Sequence, residues 1–207
     1  MKIIFEDENI VVCIKPVGIA SQNDKVQDMV KLLEQQLGSM IFPVHRLDTA
    51  VGGTMVFAKN QKPAANLSKQ IQDGTFKKKY LAVVSGRPEA DSAVLEDLLF
   101  KDSSKNKSYV VKRERKGVKK AKLKYELVSY AENMSLLKIL LYTGRSHQIR
   151  VQFASRKMPL IGDGKYGSKD NRCSVALWSN EITFKWNFKD VSFSSYPDSK
   201  QFPWNLF

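Results

Sequence analysis

One short run of this sequence places a cation beside a carboxylate that could serve in catalysis. His45-Arg46-Leu47-Asp48 precedes the flexible pair Gly52-Gly53 and a predicted strand, so both charged groups are expected on a loop next to a sheet. Taken alone the run is a weak signal, because an arginine two residues from an aspartate is more often a surface pair or a turn. Its interpretation therefore depends on the rest of the chain.

A second run, from Thr143 to Arg150, joins polar and basic residues at the start of a predicted helix. A helix that begins near Ser146, with that serine as its cap, would place His147 and Arg150 on one face, three residues apart. Such a face can meet an anion. A capped helix with an exposed basic side explains the run equally well.

For two further features we favour a structural interpretation from the residues alone. The run from Pro159 to Gly167 contains three glycines, which indicate a tightly turned loop that can approach another segment or a ligand. Tyr80 follows three consecutive lysines on a predicted strand. It could stack on a base, but this position is more typical of a core aromatic.

Other kinds of chemistry find little support in the sequence. The only histidines, His45 and His147, lack the neighbouring cysteines or paired carboxylates that make a zinc site. No glycine-rich phosphate-binding motif occurs, so nothing indicates a nucleotide cofactor. Ser146 and His147 are neighbours, but they lack the nucleophile-elbow context of a hydrolase.

The charge of the chain predicts a polyanionic partner. The formal net charge is +13, and residues 101–124 carry eleven Lys or Arg against two acids, hence nine of the thirteen excess charges. A solvated basic hairpin is the alternative for this segment taken alone. Charge by itself does not distinguish RNA from DNA or from an acidic membrane.

The pattern along the chain predicts an α+β fold with few helices and no βαβ repeat. Alternating apolar residues predict many short strands, largely antiparallel, and helical spacing appears in three places. An N-terminal capping box formed by Asp24 and Gln27 is expected to start the first helix. The predicted strands are 3–5, 10–14, 53–58, 79–85, 95–100, 109–111, 122–130, 134–142, 175–178 and 182–184, and the predicted helices are 26–37, 63–73 and one from Ser146.

Length and N-terminal sequence predict a small protein that folds inside the cell. At 207 residues the chain suits one domain or two tightly joined halves, and its acidic, only briefly apolar start predicts neither a signal peptide nor a membrane span. Cys13 and Cys173 lie far apart without a CxxC spacing, which fits free thiols in a reducing compartment. We expect a cytoplasmic protein that binds no membrane.

Taken together and in order, five blocks of this sequence resemble the RluA family of RNA pseudouridine synthases. They are EDENIVVCIKPVGI, HRLD, KKKYLAVVSG, GRSHQIRVQF and PLIGDGKYG, and the resemblance as a whole extends from about Ile3 to Trp178. Five ordered blocks are far more specific than any one of them. The resemblance implies the pseudouridine synthase fold: a mixed, largely antiparallel central sheet, a few flanking helices and an active-site cleft. It also implies one catalytic domain over residues 1–207, without the S4 domain of some relatives.

The resemblance assigns roles by position. Asp48 corresponds to the essential aspartate, Tyr80 to the tyrosine that contacts the target base, and Arg150 to the arginine that pairs with the aspartate. Arg46 is similar to the arginine that enters the RNA helix when the target uridine is flipped out. Further predicted RNA contacts are His45, Arg145, His147, Lys116, Lys119 and Lys120.

The implied reaction rejoins the base of a uridine to its sugar through carbon. Because neither redox state nor composition changes, we expect no metal and no cofactor. Asp48 either attacks the sugar or base or removes a sugar proton, and the sequence leaves these routes open. The expected substrate is a stem-loop of ribosomal or transfer RNA, acted on by a monomer. The rival functions are a non-catalytic RNA-binding protein and a nuclease.

Three positions depart from the family pattern. Where the family usually has Thr-Ser-Gly after HRLD, this chain has Val51-Gly52-Gly53. Gln152 stands where the family often has a histidine, and Trp178 replaces another frequent histidine. None of these positions is a predicted catalytic residue, so we expect an active enzyme.

Overall fold

The structure is a computed structural model that describes residues 1–22 and 26–207. These residues form eleven strands and three α-helices, and neighbouring strands are mostly antiparallel. The α+β prediction, with its largely antiparallel sheet and few helices, is therefore confirmed. The chain divides into two compact units, residues 1–78 with 178–197 and residues 79–177 with 198–207, which we call the first and second unit. The single catalytic domain over residues 1–207 stays a prediction.

Six strands and two helices belong mainly to the first unit. Their bounds are β1 Ile3–Glu6, β2 Ile10–Lys15, α1 Met29–Leu37, β3 Phe42–Pro43, β4 Gly52–Ala58, α2 Gln61–Gln72, β10 Leu177–Trp186 and β11 Lys189–Ser194. Strands β1, β2, β4 and β10 are neighbours in this order, with β11 on β10 and β3 on β4. The β4–β10 pair is parallel, whereas the others are antiparallel. All seven residues of β4 are buried.

Five strands and one helix belong mainly to the second unit. They are β5 Lys77–Ser85, β6 Ser92–Asp102, β7 Lys107–Val111, β8 Val118–Ala131, β9 Met134–Leu141 and α3 Gln148–Ala154. The strand order is β5-β9-β8-β6-β7. On β8, the alternation of buried Ala121, Leu123 and Tyr125 with lysines turns one face toward the core. Val151 of α3 packs on that face against Leu99 and Ala121.

Apolar side chains form a separate core in each unit. In the first unit, Phe76 and Phe184 stack with ring centroids 5.3 Å apart, within a cluster that also includes Leu67 of α2. In the second, Val83 and Ile161 pack together with aromatic residues near the C-terminus. Each unit thus buries an apolar face of its own sheet, which stabilises the loops that leave that sheet.

The predicted start of the second helix lies within two residues of that of α2, whereas the predicted starts of the first and third helices are wrong. Helix α1 begins at Met29, because Asp28 has extended backbone and its carboxylate accepts the Lys31 N–H at 3.0 Å. The predicted cap Asp24 lies outside the described residues. Helix α3 has His147, not Ser146, at its N-cap, with a left-handed φ of 53°.

The strand predictions need smaller corrections. The two short strands predicted around 175–178 and 182–184 are one continuous strand, β10. Strands β3 and β11 were not predicted from the sequence. The other predicted strands are present, with bounds that differ by a few residues.

Candidate active site

Asp48 lies in a backbone turn that joins the HRLD run to β4. The Asp48 carbonyl accepts the Val51 N–H at 2.9 Å, and the Asp48 side chain is half-buried. The next carbonyl, that of Thr49, accepts the N–H of Gly18 at 2.8 Å and a bond from Lys15 Nζ at 3.3 Å. The loop after β2 therefore fixes the peptide that follows Asp48.

Lys15 is fully buried at the end of β2, which is unusual for a lysine. Its Nζ donates to three backbone carbonyls, those of Pro16, Ile19 and Thr49. Burial lowers the pKa of Lys15 to about 8, although the nearby Asp48 carboxylate acts in the opposite direction. Lys15 thus ties the loop to the turn and places a positive charge near Asp48.

The side chains before Asp48 alternate between the interior and the solvent. His45 and Leu47 are buried, whereas Arg46 is exposed. The Ser21 hydroxyl bonds both the N–H and the C=O of Leu47 at 2.9 Å. This alternation leaves Arg46 accessible and anchors both neighbours of that arginine.

His45 is enclosed by the core of the first unit. Its Nε2 accepts the Val56 N–H at 3.2 Å, and its ring lies 5.6 Å from that of Phe76. Burial, with a smaller effect from Lys78, lowers the pKa of His45 to about 3. Its predicted RNA contact stays a prediction, but the ring is buried and already serves as a backbone acceptor.

Arg150 is held by a buried ion pair within the second unit. Its Nε and Nη2 donate to the two carboxylate oxygens of Asp163 at 2.7 and 2.8 Å. The two side chains are 7% and 1% exposed, so water screens this pair little. A two-pronged bond of this kind fixes the plane of the guanidinium.

The ring of Tyr166 brings His147 and Arg150 to the same place. The Arg150 guanidinium lies 5.1 Å from the ring centroid, and His147 Nδ1 lies 2.9 Å from the Tyr166 hydroxyl. That hydroxyl also accepts the Ser108 N–H at 2.8 Å. The prediction that His147 and Arg150 share one face agrees with this arrangement, in which both contact Tyr166.

The glycine-rich loop makes the ion pair possible. Gly162 has a φ of 78°, and a Cβ there would lie 2.4 Å from the Ser174 carbonyl oxygen. This close approach turns the chain immediately before Asp163. The loop is tight, as predicted, but it also supplies the partner of Arg150, which the structural interpretation of the loop missed.

The remaining predicted residues differ in exposure. Tyr80 is 6% exposed on β5, in keeping with a core aromatic. Arg145 is exposed and donates from Nε to the Lys120 carbonyl at 2.9 Å. Lys116, Lys119 and Lys120 are also exposed, at or near the start of β8. Their exposure leaves these four cations accessible to an anionic partner.

Each unit holds one charged residue of the predicted site in a fixed position. Asp48 belongs to the first unit, and Tyr80 and Arg150 to the second. The pairing of Asp48 with Arg150 stays a prediction. Lys15 and Asp163 were not identified as site residues from the sequence, although each lies in a block that carries the family resemblance. The motifs therefore contained both residues, but only the burial of their charges in the structure indicates that they belong to the site.

Gln152, which departs from the family pattern, is only partly hydrogen-bonded. Its Nε2 donates to Asp97 Oδ2 at 2.7 Å, and Asp97 also binds Arg156 at 2.9 Å, whereas the buried Gln152 Oε1 has no hydrogen-bond partner among the described residues. The amide nitrogen thus links α3 to β6. Over the described residues, no three acidic, His or Cys side chains are grouped to hold a metal ion, and no helix is long and apolar enough to cross a membrane.

Comparison with curated proteins gives several relatives of similar identity. The mitochondrial tRNA pseudouridine(32) synthase of Saccharomyces cerevisiae is 33% identical over 186 residues, which cover 88% of this chain and 39% of that protein. The dual-specificity RNA pseudouridine synthase RluA of Vibrio vulnificus is 34% identical over 176 residues, covering 82% and 70%. An uncharacterized RNA pseudouridine synthase of Aquifex aeolicus is 33% identical, covering 86% and 60%. The chain thus spans only about two fifths to three fifths of the length of some of these relatives.

Solved structures and a family model agree with these matches. The human RNA Pseudouridylate Synthase Domain Containing 4 has a TM-score of 0.80 at 19% identity, covering 95% of this chain and 89% of that one. The human RNA Pseudouridylate Synthase Domain Containing 1 has a TM-score of 0.81 at 18% identity, covering 96% of this chain and 83% of that one. These likenesses confirm the predicted fold. A family model described as RNA pseudouridylate synthase matches residues 9–155. The chain therefore belongs to the RNA pseudouridylate synthase family, in its RluA group, as the five ordered motifs predicted.

Proposed function

We propose that this chain isomerises a chosen uridine in structured RNA to pseudouridine, with Asp48 as the catalytic carboxylate. The observation that carries the proposal is the match of residues 9–155 to the family model, a range that contains the complete HRLD turn. The geometry of the turn supports it, because backbone bonds at Asp48 and Thr49 and the buried Lys15 fix the position of the half-buried Asp48.

In the proposed reaction Asp48 attacks the sugar or base, or removes a sugar proton, so that the glycosidic bond breaks. The proposal gives Arg150 the role of partner to the Asp48 carboxylate during the reaction. The ion pair with Asp163 orients Arg150 for this purpose. Tyr80 contacts the freed uracil, which then rejoins the sugar through C5.

Base flipping gives the exposed cations their proposed role. A uridine inside an RNA helix must be extruded, which costs a few kcal/mol. Arg46 is exposed beside Asp48 and suits insertion into the helix. Lys116, Lys119 and Lys120, with Arg145, offer phosphate contacts on the second unit. These contacts offset the cost of extrusion.

The proposed substrate is a stem-loop of transfer or ribosomal RNA. Relatives of this chain are named for both: a tRNA pseudouridine(32) synthase, a ribosomal large subunit pseudouridine synthase C from Haemophilus influenzae and a dual-specificity enzyme. We also propose that the protein acts in the cytoplasm as a monomer. Light scattering of the protein alone and with RNA gives its molar mass and so tests whether it is a monomer.

The test is a product assay on purified protein with total RNA that lacks its modifications. Pseudouridine should form at one or a few sites, and Asp48→Asn should abolish it while RNA affinity and thermal stability stay near the parent values. Asn keeps the shape but removes the charge and basicity that each route requires. Asp190→Asn, an exposed aspartate on β11, is the matched control and should retain full turnover.

Two outcomes would contradict the proposal. Turnover of Asp48→Asn within about tenfold of the parent, equal to about 1.4 kcal/mol of barrier, removes Asp48 from the chemistry. Tight RNA binding by the parent without any pseudouridine would instead favour a non-catalytic RNA-binding protein.

A further inference from the structure

Two of the departures from the family pattern meet at one point of the first unit. Gly52 begins β4, directly after the Asp48 turn, and Trp178 lies on β10. The two residues are partners in the parallel β4–β10 pair. The positions at which the family usually has a serine and a histidine are therefore neighbours in space.

The ring of Trp178 occupies the space that a side chain at residue 52 would need. A Cβ built on Gly52 lies 2.5 Å from Trp178 Cζ3 and 3.0 Å from Cε3, and 3.2 Å from the Lys15 carbonyl oxygen. Two carbon atoms that are not bonded to each other do not approach to 2.5 Å. A serine at residue 52 and this tryptophan thus exclude one another unless one of them moves.

Trp178 is not free to turn aside at little cost. Its Nε1 donates to both the carbonyl and the hydroxyl oxygen of Ser195 at 3.2 Å. The Ser195 hydroxyl shares a 2.8 Å hydrogen bond with the Thr54 hydroxyl, and the Ser195 carbonyl accepts a bond from Asn180 Nδ2 at 2.9 Å. Moving the ring breaks both bonds of Trp178 to Ser195, a residue that these other bonds hold in place.

A side chain added at residue 52 would instead displace the turn that carries Asp48. Residue 52 is one position beyond Val51, whose N–H closes the turn on the Asp48 carbonyl. The second neighbour of a new Cβ is the backbone of Lys15, whose Nζ binds the Thr49 carbonyl. Val51 and Lys15 thus each bond one of the two peptides that follow Asp48 in the turn.

We propose that Gly52 and Trp178 form one coupled positioning pair, in which the tryptophan ring takes the place of a residue-52 side chain and sets the position of the Asp48 turn. The inference rests on the proposed function, because it assumes that Asp48 carries the chemistry. Neither residue touches the reacting atoms. Their effect reaches catalysis through the backbone of the turn.

The test is a double-mutant cycle made of Gly52→Ala, Trp178→His and the combined variant. Single-turnover rates at saturating RNA, RNA affinities and thermal melts are measured for each. Gly52→Ala should lower the rate at least about tenfold with RNA affinity within about twofold, because the turn moves but the RNA surface does not. The combined variant should recover to within about threefold of Trp178→His, because the smaller ring leaves room for the new methyl group.

A second glycine separates positioning from loss of stability. Gly74 has a φ of 71° and a Cβ there would meet nothing within 4 Å, so Gly74→Ala introduces backbone strain without a clash. It should lower the melting temperature and leave the single-turnover rate unchanged. A Gly52→Ala variant that only loses stability, like this control, overturns the proposal.

The remaining outcomes are also decisive. Additive losses in the combined variant mean that the two residues act independently, which overturns the coupling. If Gly52→Ala does not fold, a folded and active combined variant supports the proposal, and an unfolded one overturns it. Failure of the proposed function is separate, since it would show as turnover by Asp48→Asn.

Discussion

The two charged groups on which the proposed chemistry depends are held in different ways. In the first unit, the Asp48 turn is fixed through backbone carbonyls, one of which binds a buried lysine. In the second unit, Arg150 is fixed through its own side chain, by a buried two-pronged bond to Asp163. Backbone anchoring fixes the turn on which Asp48 lies, whereas side-chain anchoring fixes the orientation of the Arg150 guanidinium itself.

The difference has energetic consequences. Removing one partner from a buried ion pair leaves an uncompensated charge, so the Arg150 site should be sensitive to the loss of a single charge. The Asp48 turn has no comparable dependence on the Asp48 carboxylate for its backbone bonds. We therefore expect stability to respond mainly to changes around Arg150, and catalysis to changes at either site.

The largest effect on stability is expected from Asp163→Asn. The change leaves Arg150 without its buried counter-charge and should lower the free energy of unfolding by about 3–5 kcal/mol. Denaturant titration measures it. Asp170→Asn is the matched control, because Asp170 pairs with Arg172 at the surface and the substitution should lower the free energy of unfolding far less. Equal losses of unfolding free energy in the two variants would mean that burial of the Arg150–Asp163 pair adds nothing to stability.

The next effect is a pH dependence of stability due to His45. Burial lowers the pKa of His45 to about 3 in the folded chain. As the pH falls below about 6.5, the unfolded chain takes up a proton that the folded chain does not. The free energy of unfolding should therefore fall by about 1.4 kcal/mol per pH unit until the pH nears the folded value.

His45→Gln isolates this contribution, because glutamine can accept the same backbone bond but does not titrate. The difference in unfolding free energy between parent and variant should shrink steadily from pH 6.5 to pH 4. A constant difference across this range would show that the folded chain binds the proton as readily as the unfolded chain.

Arg150→Lys should affect activity more than stability. Lysine keeps the charge but lacks the planar fork that binds both oxygens of Asp163, so the cation loses its fixed orientation. We expect at least about a tenfold fall in turnover, or 1.4 kcal/mol of barrier. Arg87→Lys changes an arginine in an exposed pair with Asp91 and is the control, whose turnover should be close to that of the parent. Normal turnover of Arg150→Lys would show that charge alone suffices.

The smallest effect concerns RNA affinity and its salt dependence. Changing Lys116, Lys119 and Lys120 together to Gln should weaken binding and reduce the slope of log affinity against log salt by up to about 2–3, through lost counterion release. The control triple changes Lys62, Lys69 and Lys189, exposed lysines of the first unit, to Gln. If both triples alter the slope equally, net charge rather than this surface determines binding.

The sequence predicted most elements whose residues interact locally. The β1–β2 hairpin follows from two apolar runs around a polar turn, and α2 from helical spacing that ends before Gly74. The start of α3 was mispredicted because the Ser146 carbonyl is bound by the Ser108 hydroxyl, a contact across 38 residues. Local capping rules do not include such a partner.

The sequence yields a prediction of the site residues but not of the contacts that hold them. Asp48, Tyr80 and Arg150 are predicted because their motifs occur in a fixed order, and their roles stay predictions. The burial of Lys15 and the partnership of Asp163 with Arg150 depend on folded contacts that motif spacing does not encode. The same holds for Trp178, whose significance becomes visible only from its distance to Gly52.

The parallel pairing of β4 with β10 has a consequence for how the chain is made. The Thr54 hydroxyl bonds the Asn180 carbonyl across 126 residues of sequence, and the first unit is completed only by residues 178–197. At about 5–20 residues per second, a ribosome needs roughly 6–25 seconds to add the missing strand. During that interval β4, which is apolar along most of its length, has β2 and β3 beside it but lacks its third partner, β10. A nascent chain arrested before residue 178 should therefore bind holdase chaperones more strongly than one arrested after residue 197.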